Sequence, residues 1–496
     1  MIFHNTLTKR KEVFEPLEKG KVSMYACGPT VYDYIHLGNI RAYIASDTVR
    51  RVLEAAGYEV RLIRNITDAG HLTADDIAQG DSGEDKVERK AKAEKKTPAE
   101  ITEFYEDYFH RTEATMNILP AHFYPRATAH VAQMVKMIGE LIAKEHAYEV
   151  NGNVFFDVTS FPEYGRLSGN TLANLKVGAR LEEHPDKRNP WDFALWLKAP
   201  REHLMHWASP WSEGYPGWHI ECSAMSLEYL GDTFDIHMGG EDNIFPHHEA
   251  EIAQSECATG HPFVRYWLHN RHLLVDGEKM SKSKGNFYKL EDILEKGYSP
   301  MDLRLLLLSA HYRSQMNFTW GSLEQAKKNR ETLFALAERL ESEITSPAIA
   351  SEALSIVIPT LPESLRESLR AGVVEGSLNI VTDAETKFTA AIDDDLNTPL
   401  ALSTLLEYST AINTALDNGV PVDAKRAIAF LEKTFFIFGL RMDKEVVPEE
   451  IRKLAADRET ARTERNFAAS DNLRDRITDA GWIVEDTATG PKLKRK

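Results

Sequence analysis

The chain has 496 residues, more than one hydrophobic core normally serves, so several domains are expected. A formal net charge of −17 excludes a protein that wraps uniformly around nucleic acid, and any RNA contact must use local basic patches. The chain has no apolar run of about eighteen residues, and its opening MIFHNTLTKR lacks the apolar centre of a secretory signal. Neither membrane insertion nor export is therefore expected, and the location is read as cytoplasmic. Cys27, Cys222 and Cys257 are too few and too scattered for a disulfide framework, which favours thiols kept reduced.

From Lys21 to Ala26, KVSMYA alternates and then turns apolar, which predicts a short strand stopping at the Cys27-Gly28-Pro29 break. Ile40, Tyr43, Ile44, Asp47, Thr48, Arg51, Val52 and Ala56 recur at helical spacing, with Gly57 placed as a C-terminal cap. Glu59 to Arg64 is the next strand. Strand, helix and strand make a βαβ unit, whose ligand site lies at the carboxyl ends of the strands, where Cys27 to Asn39 fall. From about residue 72 to 110 the chain is charged and helix-prone, and it leads into a mixed segment up to about Arg201 that reads as an insertion. The α/β character returns from Trp218 to about Trp267, with FDIHMGG as a buried strand and HHEAEIAQSECA as the following helix. Beyond about Gly321, ETLFALAERLESEI, TPLALSTLLEYSTAINTAL and AKRAIAFLEKTFFIFGL predict a helical bundle. A small end domain follows, built on FAASDNLRDRITDAG and WIVED. The basic tail Lys492 to Lys496 and the stretch Lys86 to Lys96 are candidate RNA contacts, each equally readable as a solvated surface.

Three constellations carry chemistry. His36-Leu37-Gly38-Asn39 stands between a strand and a helix N-terminus, where backbone donors and the helix dipole favour a phosphate; alone it also reads as a turn. Lys279-Met280-Ser281-Lys282-Ser283 places two lysines on a short polar loop that can reach a triphosphate; alone it reads as a solvated loop. Cys27, Cys222, His247 and Glu251 offer two thiolates, an imidazole and a carboxylate, a set that suits zinc, with His247 and Glu251 on one face of the predicted helix. By spacing alone the cysteines read equally as small core residues.

The two phosphate motifs, in this order, resemble the HIGH and KMSKS signatures of class I aminoacyl-tRNA synthetases. YACGPTVYDYIHLGNIR, RNITD, DKRNPWDFALW, PGWHIECSAMS, FDIHMGGEDNIFPHHEAEIAQSE and KMSKSKGN together resemble the cysteinyl-tRNA synthetase family, as do DDDLNTPLAL and AASDNLRDRI near the end. The resemblance implies an α/β architecture with a Rossmann-like parallel-sheet catalytic domain over 1–320, carrying a connective insertion at about 100–200 and the KMSKS loop at 279–283. A helical bundle over 321–440 and a small anticodon-binding domain over 441–496 would follow. The implied reaction activates L-cysteine with ATP, assisted by Mg2+, to cysteinyl adenylate and transfers it to the 3′ end of tRNA(Cys), in a monomer. Catalytic roles fall to His36, Asn39, Lys279 and Lys282, which would stabilise charge on the phosphates. ATP would be held by His36, Gly38, Asn39, Gly239, Gly240, Asp242 and Lys282. Gly28, Thr67 and Trp218 would line the cysteine pocket with His237 near it. One Zn2+ would sit on Cys27, Cys222, His247 and Glu251, selecting the substrate thiolate, with Cys257 a non-ligand.

Two departures from the family pattern stand out. Asn39 replaces the second histidine of HIGH; its amide can donate to phosphate but cannot carry positive charge. After Asp68, AGHLTADDIAQGDSGEDK replaces a stretch that in many relatives is acidic and lysine-bearing, so no role is carried over there, and His71 reads as a surface or hydrogen-bonded structural histidine. The cysteine ligase of mycothiol biosynthesis resembles the catalytic half but lacks a terminal RNA-binding domain, so the residues after Gly321 favour tRNA as acceptor. A non-catalytic, zinc-stabilised RNA-binding protein would not need both phosphate motifs. Cutting the chain after about Gly321 is expected to leave some activation while abolishing transfer.

Overall fold

Strands β1 (Lys21–Ala26) and β2 (Glu59–Arg64) pair in parallel from Lys21 opposite Glu59 to Ala26 opposite Arg64, with helix α1 (Leu37–Ala55) crossing between them. The end of α1 follows the expected pattern: Ala56 N–H donates to Val52 O at 3.0 Å, and Gly57 takes a φ of 92°, a region glycine enters without a Cβ penalty. The chain then forms α2 (Lys86–Glu94) and α3 (Pro98–Thr115). After the insertion come α4 (Trp218–Leu230), β3 (Phe234–Gly240), α5 (Glu249–Thr259) and β4 (Val264–Asn270). The four strands make one parallel sheet in the order β4-β3-β1-β2. Strand order reverses between β1 and β3, so the loops leaving their carboxyl ends diverge and open a crevice.

The computed structural model describes residues 1–74, 82–171, 174, 185–281, 285–345, 379–442, 448–487 and 490–495. The insertion differs from its expected span of about 100–200. Helix α3 belongs to the parallel sheet: the Phe109 ring meets Tyr43 of α1 at 5.2 Å, and Glu113 pairs with the buried Arg64. The insertion's own five-stranded antiparallel sheet runs from Ala147 to Pro216, and Val154, Phe156, Phe193 and Trp196 share a core with Ile220 and Ala224 of α4 and Ala250 and Ala253 of α5. Helical periodicity locates an apolar face but not the element that covers it, which is why the boundary shifts.

A second difference lies at residue 320. Helices Trp320–Thr345, 379–393, Thr398–Asp417 and Ala424–Phe438 are present, but residues 1–440 form one compact unit. The buried Arg304 explains the continuity: it donates to Phe438 O at 2.5 Å and Met116 O at 2.8 Å and pairs with Asp47 of α1. Arg51 of α1 donates to Phe436 O at 3.0 Å. Residues 441–496 are a separate unit, in which helices Glu449–Thr463 and Phe467–Asp479 and the antiparallel pair Trp482–Thr487 and Gly490–Arg495 enclose Ile451, Leu454, Ile477, Trp482 and Val484. Among the described residues no helix is long and apolar enough to cross a membrane.

Candidate active site

A cavity of about 380 Å3 occupies the crevice, bounded by Ala26–Thr30 after β1, Asn65 and Thr67 after β2, Met238–Asn243 at the end of β3, and Asn270 at the end of β4. At one end stands the N-terminus of α1. The His36 ring caps the helix by accepting from Gly38 N–H at 3.0 Å, while Asn39 Oδ1 accepts from His36 N–H at 3.0 Å. Asparagine therefore closes a reciprocal cap at the position where a second histidine was the family expectation. A Cβ on Gly38 would lie 2.9 Å from the His36 ring and 3.1 Å from Met280 Cε, so the KMSKS segment packs directly onto the first motif. Leu37 N–H donates to Tyr288 O at 3.0 Å, tying the two stretches together by backbone. Lys279 lines the cavity, whereas Lys282 and Ser283 lie outside the described residues.

Gly239, Gly240 and Asp242 form the adjoining wall. A Cβ on Gly239 would come within 2.6 Å of the His248 ring, whereas at Gly240 it would meet open space. Asp242 is 72% exposed, 3.5 Å from His272 Nε2. Sequence reasoning missed Glu241, which accepts from His272 N–H at 2.7 Å and holds Arg271 at 3.3 Å, ordering that rim.

At the other end one ligand atom from each of Cys27, Cys222, His247 and Glu251 lies within 4.8 Å of the others. Glu251 is on α5, but His247 sits in a wide turn just ahead of that helix; the spacing still brings its Nε2 to 3.0 Å from Glu251 Oε1. Glu251 Oε1 is fully buried, and its approach to His247 Nε2 lacks the alignment of a hydrogen bond, as expected where both face a common cation. Burial opposes charge here, yet Glu251 and Cys222 push the His247 imidazole up to about 10, and His237 and His247 hold the Glu251 carboxyl at about 2 against desolvation. Cys27, His237, His248 and Glu251 form an overlapping set, but neither His237 nor His248 reaches the cavity. The fully buried His237 places Nε2 2.8 Å from Glu251 Oε2, behind the ligand rather than against a substrate, and His219 Nδ1 meets His247 Nδ1 at 3.0 Å. Both orient donor groups. Cys257 lies apart, in the core with Ala253 and Ala258.

Between these ends, Gly28 N–H donates to Asn65 Oδ1 at 2.8 Å, and any Cβ there would collide with Asn65 O. Thr67 Oγ1 donates to Glu221 Oε2 at 2.8 Å. The Trp218 indole is stacked between His247, at 4.2 Å, and His71, at 4.3 Å. His71 is thus hydrogen-bonded, as one of its two sequence readings had it, and it also forms part of the cavity wall.

Comparison with known proteins matches two family models to the chain: "tRNA synthetases class I (C) catalytic domain" over residues 13–328 and "DALR domain" over 387–442. A cysteine--tRNA ligase of Chlorobium chlorochromatii is 41% identical, covering 99% of this chain and 98% of that relative. One from Thermus thermophilus is 43% identical, covering 100% and 99%. Among solved structures, a Mycobacterium tuberculosis methionyl-tRNA synthetase in complex with methionyl-adenylate superposes with a TM-score of 0.58 at 14% identity, over 84% of this chain and 88% of that one, a likeness of fold. With full-length relatives on one side and a class I crevice on the other, the chain belongs to the cysteine--tRNA ligase family of class I aminoacyl-tRNA synthetases, enzymes that join cysteine to tRNA.

Proposed function

We propose that ATP, with Mg2+, binds at the His36 and Lys279 end of the cavity and L-cysteine at the Trp218 end, so that cysteinyl adenylate forms between them and passes to the 3′ end of tRNA(Cys). The observation that carries this reading is that three of the four zinc-type donors, Cys27, Cys222 and His247, with Glu251 buried behind them, and the capped N-terminus of α1 line one cavity. His36, Asn39 and the first N–H groups of α1 hold phosphate oxygens, Gly38 leaves them room, and Lys279 and Lys282 offset charge on the departing pyrophosphate. This is electrostatic stabilisation and needs no enzyme-bound intermediate. Gly239, Gly240 and Asp242 lie beside adenosine, with Gly240 open to the cavity, and Gly28, Thr67 and Trp218 shape the cysteine end.

Cys27, Cys222, His247 and Glu251 would hold one Zn2+, which when bound acts as a Lewis acid that lowers the pKa of a substrate thiol and accepts its sulfur. His237 and His219 keep Glu251 and His247 aimed. A serine hydroxyl is far harder to deprotonate and is the poorer ligand, and alanine offers none. Pyrophosphate exchange with serine or alanine should fall on the order of 10⁴-fold below cysteine, with one zinc per chain by metal analysis. Serine activation within about tenfold of cysteine would sink the reading.

The unit from Arg441 onward serves tRNA, reading the anticodon, and the protein works as a cytoplasmic monomer. Because the fold is continuous to Leu440, cutting after Gly321 would strip helices from α1, and the informative truncation removes 441–496. That enzyme should keep exchange within about threefold while charging of tRNA drops at least about tenfold through lost RNA contacts. Unimpaired charging would give the end unit another role.

A further inference from the structure

After Asp68, where the sequence departs from the family pattern, two short strands close against each other. Strands Leu72–Ala74 and Ser82–Asp85 pair antiparallel, with Leu72 opposite Asp85, and Lys86 N–H donates to His71 O at 3.0 Å. The closure delivers two side chains to one place. His71 enters the cavity wall flat against Trp218, their planes within 6°, and Lys86 reaches it from the start of α2.

Both ring nitrogens of His71 are engaged. Nε2 contacts Lys86 Nζ, and Nδ1 lies 2.7 Å from Thr30 Oγ1. An ammonium has hydrogens to give and no lone pair, so Nε2 must accept. The neutral ring then carries its proton on Nδ1 and donates it to Thr30 Oγ1. Burial, and Lys86 in the same sense, keep this imidazole well below the usual histidine range, in its neutral form. Since Oγ1 accepts from His71, the Thr30 hydroxyl proton must point elsewhere. Thr30 lines the cavity, and its hydroxyl has no other partner among the described residues. Its backbone is pinned by the bridge to Thr67.

We infer that His71 is a positioning residue: it holds the Thr30 hydroxyl as a donor into the cysteine end of the cavity, where it takes an acyl oxygen of the substrate. This rests on the reading that cysteine occupies that end. Of the three polar groups of cysteine, the ammonium is itself a donor and would oppose an O–H directed at it, and the thiol belongs at the Cys27, Cys222, His247 and Glu251 cluster. The acyl group is the remaining acceptor, as carboxylate before activation and as the adenylate carbonyl after it. Lys86 touches no substrate; it sets the tautomer of the ring.

The test uses the full-length enzyme and cysteine-dependent pyrophosphate exchange. Thr30→Val keeps shape and loses the donor; His71→Phe keeps the stack on Trp218 and cannot donate. Each should lower kcat/KM for cysteine about tenfold to a hundredfold, with zinc content and KM for ATP unchanged. The double variant should be no worse than the poorer single one, because both substitutions break one chain. His71→Gln, whose amide can accept from Lys86 and donate to Thr30, should recover most of the loss. Cysteamine, which keeps thiol and amine but has no acyl oxygen, should inhibit all of these variants as it inhibits the parent. Additive losses in the double variant, no rescue by glutamine, or cysteamine inhibition weakened in step with cysteine would overturn the inference. Failure of the underlying site reading looks different: exchange by the parent would then survive Cys222→Ser.

Discussion

Exchanging Cys222 for serine is expected to abolish metal binding and lower cysteine activation by on the order of 10³-fold or more. Cys222 is buried on α4 beside Cys27, where the hydrogen bond from Cys27, then burial, then Glu251 all raise its thiol well above the ordinary value. In such surroundings a thiolate persists only with a cation next to it, and a serine hydroxyl would not ionise at all. Bound zinc, measured after dialysis against a chelator, should fall from one per chain to near zero. KM for ATP should not move, because the phosphate end is built by α1 and the Lys279 segment. Cys257→Ala is the matched control, since that thiol, pushed up to about 12 by burial, lies in the apolar core outside the donor set. It should keep zinc and activity. Undiminished zinc in Cys222→Ser would remove the cluster from the mechanism.

Asp47→Ala should cost about 3–5 kcal/mol of unfolding free energy at neutral pH, the range for breaking a buried ion pair. Asp47 is buried on α1, 2.8 Å from Arg51 Nε and in contact with Arg304, and it also accepts from Leu119 N–H at 2.9 Å. Removing the carboxylate leaves two guanidinium groups facing each other in the interior. Burial alone would raise the Asp47 carboxyl, but Arg304 and Arg51 outweigh it and hold the group below the usual carboxylate range. A depressed folded value means the contribution is complete above the unfolded pKa of about 4 and is lost as pH falls through the folded one. Urea unfolding across pH should therefore show the largest gap between parent and Asp47→Ala near neutrality, narrowing below about pH 4. A gap that is flat with pH would show that packing, rather than charge, is what Asp47 contributes. Since α1 carries His36 and Asn39 at its other end, heat inactivation of exchange should follow the loss of stability.

What the sequence determined by itself is what is written in local periodicity. Strands Lys21–Ala26, Glu59–Arg64 and Phe234–Gly240 stand where their patterns place them, because alternation and apolar runs report burial residue by residue. His36 to Asn39 was legible for the same reason, since a strand-to-helix turn in a βαβ unit already points to the ligand edge. The spacing of His247 and Glu251 placed the two side chains side by side, at 3.0 Å, although His247 precedes the regular helix. Cys27 and Cys222 could be joined only through family resemblance, because nothing local links residues on separate elements. Tertiary structure alone decided that helix Pro98–Thr115 covers α1, that Arg304 welds the bundle to the catalytic half, that His237 stands behind Glu251, and that His71 lines the cavity. Each of these depends on which surface comes to lie against which, and a one-dimensional pattern records how apolar a face is without recording what will cover it.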